Sequence, residues 1–146
     1  MANVTLNESP AQPGEWGFRP DGITTEETPP AFVWRPQDDA ATYEVQCARS
    51  TDFVDVAYQK TDLTYTAHRP AKTFDSGTWF WRFRFVNDVG NASEWSAVRE
   101  FEIAENAKPL PMPERDELIA RIPKGHPRLF LRPEQVDELR NRAQSD

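Results

Sequence analysis

The 146 residues predict a mainly β chain folded as a sandwich or barrel. Three observations carry that expectation. Residues 77–86, GTWFWRFRFV, place Trp79, Trp81, Phe83 and Phe85 at every second position, the period of a strand with one buried face. Similar alternating runs recur through residues 31–103, cut by turn formers at about 8–12-residue spacing, the rhythm of a sandwich or barrel. The chain is only 38% apolar but 12% aromatic. Each large ring buries roughly 150–250 Å², so a small core is sufficient if the rings converge.

The elements follow in order. Residues 1–21 are polar, rich in Pro, Gly and Glu, and lack both a 2 and a 3.6 period, so they read as an extended lead-in. Trp16 and Phe18 are expected to cover one edge of the domain, and Thr24–Thr25 to sit in a short first strand. In AFVWRP, Phe32 and Trp34 share a face. The turn formers Asp38 and Asp39 then lead to TYEVQCA, where Tyr43, Val45 and Cys47 face one way and Thr42, Glu44 and Gln46 the other. Val54, Val56 and Tyr58 alternate in VDVAYQ, as do Leu63 and Tyr65 in DLTYTA. RPAKTFDSG breaks the chain before the long aromatic strand. The last strand, VREFEI, puts Phe101 and Ile103 on one side.

Residues 105–146 differ in character. A Pro-rich extended linker precedes ERDELIARI, a helix with Pro113 at its start and Pro123 and Gly125 at its end. Pro133 opens a second helix, EQVDELRNRA, with Val136 and Leu139 on one face. These helices read as the first of a following domain, with more protein expected after Asp146.

Charge excludes one class of function. Residues 1–104 carry 16 acidic and 9 basic side chains, which accounts for the whole net charge of −7. A nucleic-acid binder needs a basic field to displace counterions. RFRFV also lacks the glycines and the helix-bearing frame of a sheet that stacks RNA bases. Cys47 is the only cysteine and sits in an alternating run, so it reads as a buried small hydrophobe. His68 and His126 stand far apart without cysteine partners, and the turn aspartates lack calcium-loop spacing, so no metal or other cofactor is expected. No apolar run is long enough to insert in a membrane, and MANVTLNESP lacks the pattern of a signal peptide. Sequons occur at Asn3, Asn7 and Asn91, without a secretory route in the sequence.

Two resemblances sharpen the reading. PPAFVWRPQDDAATYEVQCARSTDF and SGTWFWRFRFVNDVGNASEWSAVREFEI resemble strands of a fibronectin type III-like domain. The shared features are Trp34 between prolines, Tyr43 opening the next strand, Gly77-Thr78 before the aromatic strand and Ser93-Glu94-Trp95-Ser96 before the last. The resemblance implies an immunoglobulin-like sandwich of about seven strands over residues 22–104. Trp79 stands where that family places a tyrosine whose hydroxyl ties the corner, and an indole N–H donates but cannot accept. PMPERDELIARIPKGHPRLFLRPEQVDELR, residues 111–140, and the lead-in PGEWGFRP are similar to the N-terminal region of heparinase II/III-like polysaccharide lyases, where a helical toroid follows. Such enzymes cleave uronic-acid polysaccharides by β-elimination, and their catalytic residues match no position here. The resemblance implies a periplasmic or secreted parent protein. His126 and its neighbours Pro127, Arg128, Leu129 and Phe130 read as a docking strap.

Two sets of side chains result. Trp34, Tyr43, Val45, Trp79, Trp81, Phe83, Phe85 and Phe101 are the expected core; burying each large one is worth about 1.5–3 kcal/mol. Trp95, Arg82 and Arg84 are the candidate site, and two readings of them stay open. The tryptophan of a WS-type motif stacks on arginines of the adjacent strand in some fibronectin-like domains, a structural role. Alternatively, arginine forks suit a uronate carboxylate and an aromatic face suits a pyranose ring. The expected function is that of a non-catalytic accessory module of a heparinase II/III-like lyase. Its partners are then the following catalytic domain of the same polypeptide and, for the sugar-site reading, a polysaccharide. A stand-alone carbohydrate-binding or protein-interaction sandwich is the alternative.

Overall fold

The computed structural model describes residues 5–15, 17–122, 124 and 133–143. It divides into two units, residues 1–112 and 113–146. The first is a mainly β sandwich with seven strands among its described residues: β1 (Ile23–Thr28), β2 (Phe32–Val33), β3 (Thr42–Ala48), β4 (Val56–Leu63), β5 (Ala67–His68), β6 (Gly77–Val86) and β7 (Arg99–Pro109). One sheet has the order β1-β7-β6-β3-β4, and β2 with β5 forms the second. All pairs are antiparallel except β1 with β7, so the large sheet is mixed.

The alternation of β6 sets which side of the large sheet is dry. Trp79, Trp81, Phe83 and Phe85 are buried, while Phe80, Arg82 and Arg84 are only half-buried on the opposite face. β3 lies beside β6 in a register that pairs Tyr43 with Phe85, Val45 with Phe83 and Cys47 with Trp81, so its own alternation adds to the same dry face. Phe32 and Trp34 come down from the other layer and are fully buried. Phe32 meets Trp81 at 5.2 Å between ring centroids, and Trp34 stacks on Phe83 at 5.7 Å. Phe101 and Ile103 complete the core from β7. Burial pushes the Cys47 thiol well above its ordinary pKa.

Three strand boundaries differ from the pattern in the sequence. Val54 is 79% exposed and precedes β4, while its neighbour Phe53 is buried with φ 54°. A turn explains this: the Phe53 N–H donates to Ser50 O and the Val54 N–H to Asp52 Oδ1, so Val54 belongs to the turn and the strand begins only at Val56. Tyr65 is 78% exposed, because the chain there leaves β4 in one sheet and crosses to β5 in the other. β7 continues to Pro109, through residues that look like linker, because β1 pairs along it, with Glu27 opposite Lys108 and Thr28 opposite Pro109. Main-chain bonds hold that stretch without any apolar alternation.

The corner before β6 is tied by an indole N–H rather than by a tyrosine hydroxyl. The Trp79 indole N–H donates to the Asp75 carbonyl at 2.8 Å, four residues upstream. The Arg49 guanidinium lies 4.0 Å over the same indole and donates to the carbonyls of Asp75, Ser76 and Thr78. A bond to a carbonyl needs only a donor, so the indole suffices. At the opposite edge, the Tyr58 hydroxyl of β4 meets His68 Nε2 of β5 at 2.7 Å and links the two layers.

The second unit contains α1 (Arg115–Arg121) and α2 (Pro133–Ala143). Glu114 is the N-cap of α1 and forms no side-chain cap, but Asp116 and Glu117 in the first turn and Arg121 in the last complement the helix dipole. Glu117 and Arg121 also pair one turn apart. α1 buries no residue. Pro133 opens α2 as the sequence suggests. Trp16, Pro123, Gly125, the strap at residues 126–130 and the side chain of Leu139 lie outside the described residues.

Two outcomes follow from these contacts. Trp79→Phe keeps an aromatic ring but loses the donor and part of the buried volume, and should cost about 1–3 kcal/mol in urea unfolding. Burial, then the Lys60 charge, holds the His68 pKa below its ordinary 6.5. The unfolded chain therefore takes up the proton first as pH falls. Stability should drop as pH falls through 6.5 toward the folded value and then level off. The urea midpoint at pH 5 relative to pH 7 should fall further in wild type than in His68→Gln.

Candidate functional site

β6 pairs with β3 from Phe80 to Val86, but with β7 only from Gly77 to Trp81. Beyond Trp81 its other edge would be bare. The motif Ser93-Glu94-Trp95-Ser96 fills that edge. The Ser93 N–H donates to Phe85 O at 2.9 Å, and the Ser96 N–H to Phe83 O at 2.8 Å. In return, the Phe85 N–H donates to Ser93 Oγ at 3.1 Å and the Phe83 N–H to Ser96 Oγ at 3.0 Å. Each serine thus satisfies both the carbonyl and the N–H of one β6 residue. Both hydroxyls pass their own protons on, to the carbonyls of Glu94 and Ala97. Two serines three apart match two strand residues two apart because one clamp closes per pleat.

The clamp holds Trp95 over the outer face of β6. The guanidinium carbons of Arg82 and Arg84 each lie 4.5 Å from the indole centroid. Arg82 also lies 4.1 Å over Phe53. The result is a ladder that runs Phe53, Arg82, Trp95, Arg84. Its polar ends are engaged as well. Arg82 donates through Nε and Nη2 to Gln46 Oε1 at 3.1 and 2.8 Å, and Gln46 in turn bonds Gln59 at 3.3 Å. Arg84 Nε pairs with Glu44 Oε2 at 2.6 Å. Burial, and secondarily the Arg84 charge, pull the Arg82 pKa below its ordinary value. An arginine so shifted stays protonated at neutral pH.

All three candidate residues, Trp95, Arg82 and Arg84, meet at this one place. The sequence pointed to them but not to Phe53, which extends the ladder; a phenylalanine in a turn beside Asp52 carries no periodic signal. The ladder contains no nucleophile beside a base. Among the described residues no group of three or more His, Cys, Asp or Glu can hold a metal ion, and no helix is long and apolar enough to cross a membrane.

Fold and ladder together define the class: a mainly β sandwich, with seven strands among the described residues and an aromatic–arginine stack on the outer face of its larger sheet. No protein-family model matches the chain, and no curated protein matches it. Among solved structures it is similar to an alpha-L-rhamnosidase from Dictyoglumus thermophilum, at 16% identity and a TM-score of 0.47. The match covers 59% of this chain and 11% of that one, so the chain spans a small part of that protein's length.

Substitutions in the ladder and the clamp should read out as stability. Trp95→Ala loses two cation–π contacts and should cost about 1–2 kcal/mol. Ser96→Ala strands the buried Phe83 N–H and should cost about 1–3 kcal/mol. Both are measured by urea unfolding.

Proposed function

We propose that this chain is a non-catalytic accessory module of a heparinase II/III-like polysaccharide lyase, in which it spaces or buttresses the catalytic domain. The observation that carries the non-catalytic, structural part is the closed state of the ladder. Trp95 lies against two guanidinium groups, and Arg82 and Arg84 have protein acceptors. A sugar would have to displace these contacts to reach the indole or the arginine forks. Such a stack stiffens the outer sheet and keeps three large polar side chains in fixed rotamers. The lyase context is supported by the similarity of residues 111–140 and 13–20 to those enzymes. On this reading the partner is a catalytic domain of the same polypeptide, and the parent protein works in the periplasm or outside the cell.

The test is an assay of residues 1–146 alone against alginate and a glycosaminoglycan, read as the growth of unsaturated-uronate absorbance. No activity is expected, and activity from these residues alone would sink the proposal. The same chain should bind none of a panel of uronic-acid oligosaccharides. Saturable binding that weakens in Trp95→Ala while the fold is kept would replace the structural role with a carbohydrate-binding one.

A further inference from the structure

Residues 5–9 lie on the sandwich as an extended peptide lies in a receptor. Leu6 packs against the core. The Asn7 backbone is read by the Gln37 amide: its N–H donates to Gln37 Oε1 at 2.7 Å, and Gln37 Nε2 donates to its carbonyl at 3.1 Å. The Glu8 carboxylate accepts the Ala97 N–H at 3.0 and 3.1 Å and Arg99 Nη2 at 2.9 Å. With the arm seated, Gln37 and Arg99 are each 7% exposed, so both readers are closed off from solvent in this arrangement. The Gln37 amide also donates to Arg35 O, and Arg99 is oriented by Ala97 O and stacks 3.9 Å over Phe18. The seat therefore selects an apolar residue, then any residue through its backbone, then a carboxylate.

The segment continues into residues 10–15, all exposed. They hold a short turn closed by the Glu15 N–H to Gln12 O. An arm held by side chains and main chain of the domain, here Gln37, Ala97, Arg99 and, through the Ser9 carbonyl, Arg35, makes the same contacts in another copy. Only chain entropy separates the two arrangements. We propose that residues 5–9 are an exchangeable arm, and that the seat of Gln37, Ala97 and Arg99 takes the arm of a second copy of this chain. The proposal is independent of the lyase reading.

Complementation tests it. Glu8→Ala keeps the seat and spoils the arm, while Arg99→Met keeps the arm and spoils the seat. Each variant alone should sediment as a monomer. Their mixture should form a 1:1 complex, because the intact arm of one fits the intact seat of the other. A mixture that stays monomeric up to concentrations on the order of millimolar, the effective concentration of a short tether, overturns the proposal. Should Arg99→Met fail to fold, a fluorescent peptide of residues 5–9 replaces it. That peptide should bind the Glu8→Ala chain and bind wild type, whose own arm competes, about ten-fold more weakly or worse. No binding to Glu8→Ala, or equal binding to both, is the contrary result.

Discussion

The far edge of β6 is the constraint on which the structure turns. A ten-residue strand that buries four aromatics on one face needs both of its edges bonded along its length. β3 supplies one edge. β7 supplies the other for only half the distance. Ser93 and Ser96 close the remainder with four bonds, and Trp95 is carried between them as a consequence. The main-chain requirement of the core strand and the stack on its outer face are thus two sides of one motif. Losing the clamp would leave buried N–H groups at Phe83 and Phe85, each costing about 1–3 kcal/mol, more than any single stacking contact contributes.

The lead-in plays a corresponding part on the other layer. The second sheet has only two strands of two residues each, too little to cover the dry face of β6. The lead-in makes up the difference. Phe18 stacks on Phe83 at 6.0 Å, the Arg19 backbone pairs with Val33, and the Pro20 carbonyl accepts the buried Trp81 indole N–H at 2.7 Å. Arg99 then joins lead-in and sandwich as a buried cation between Glu8, Phe18 and Trp81. A segment without periodicity is therefore part of the folded unit, through polar and aromatic contacts that no amphipathic pattern announces.

Cations placed over rings recur at three sites, and they do different work. Arg49 over Trp79 closes the corner into β6. Arg99 over Phe18 fixes the lead-in. Arg82 and Arg84 with Trp95 brace the outer sheet. In each case the guanidinium also has an oxygen acceptor, so its planar fork is held by hydrogen bonds at the edge and by the ring at the face. A lysine would supply the charge but not this double constraint. Four of the nine basic side chains in residues 1–104, Arg49, Arg82, Arg84 and Arg99, are held in such contacts.

Periodicity alone determined the strands with strict alternation. The dry faces of TYEVQCA, GTWFWRFRFV and VREFEI were legible because a period of two leaves one solution for which side is buried. Pro133 marked a helix start because a missing N–H costs nothing there, and Pro113 stands just before the N-cap Glu114 of the other helix. The order of Trp95 after Arg82 and Arg84 made the candidate ladder visible too. Tertiary structure alone decided what depends on a neighbour. Phe53 rather than Val54 turns inward because a local turn precedes β4. β7 runs on to Pro109 because β1 lies beside it. Asn7 meets Gln37 and Glu8 meets Arg99 only because the sandwich brings residues 30 and 91 positions apart into hydrogen-bond range. Alternation is a property of one segment and is written in its sequence. Edge satisfaction and ion pairing are properties of two segments, fixed only when the fold closes.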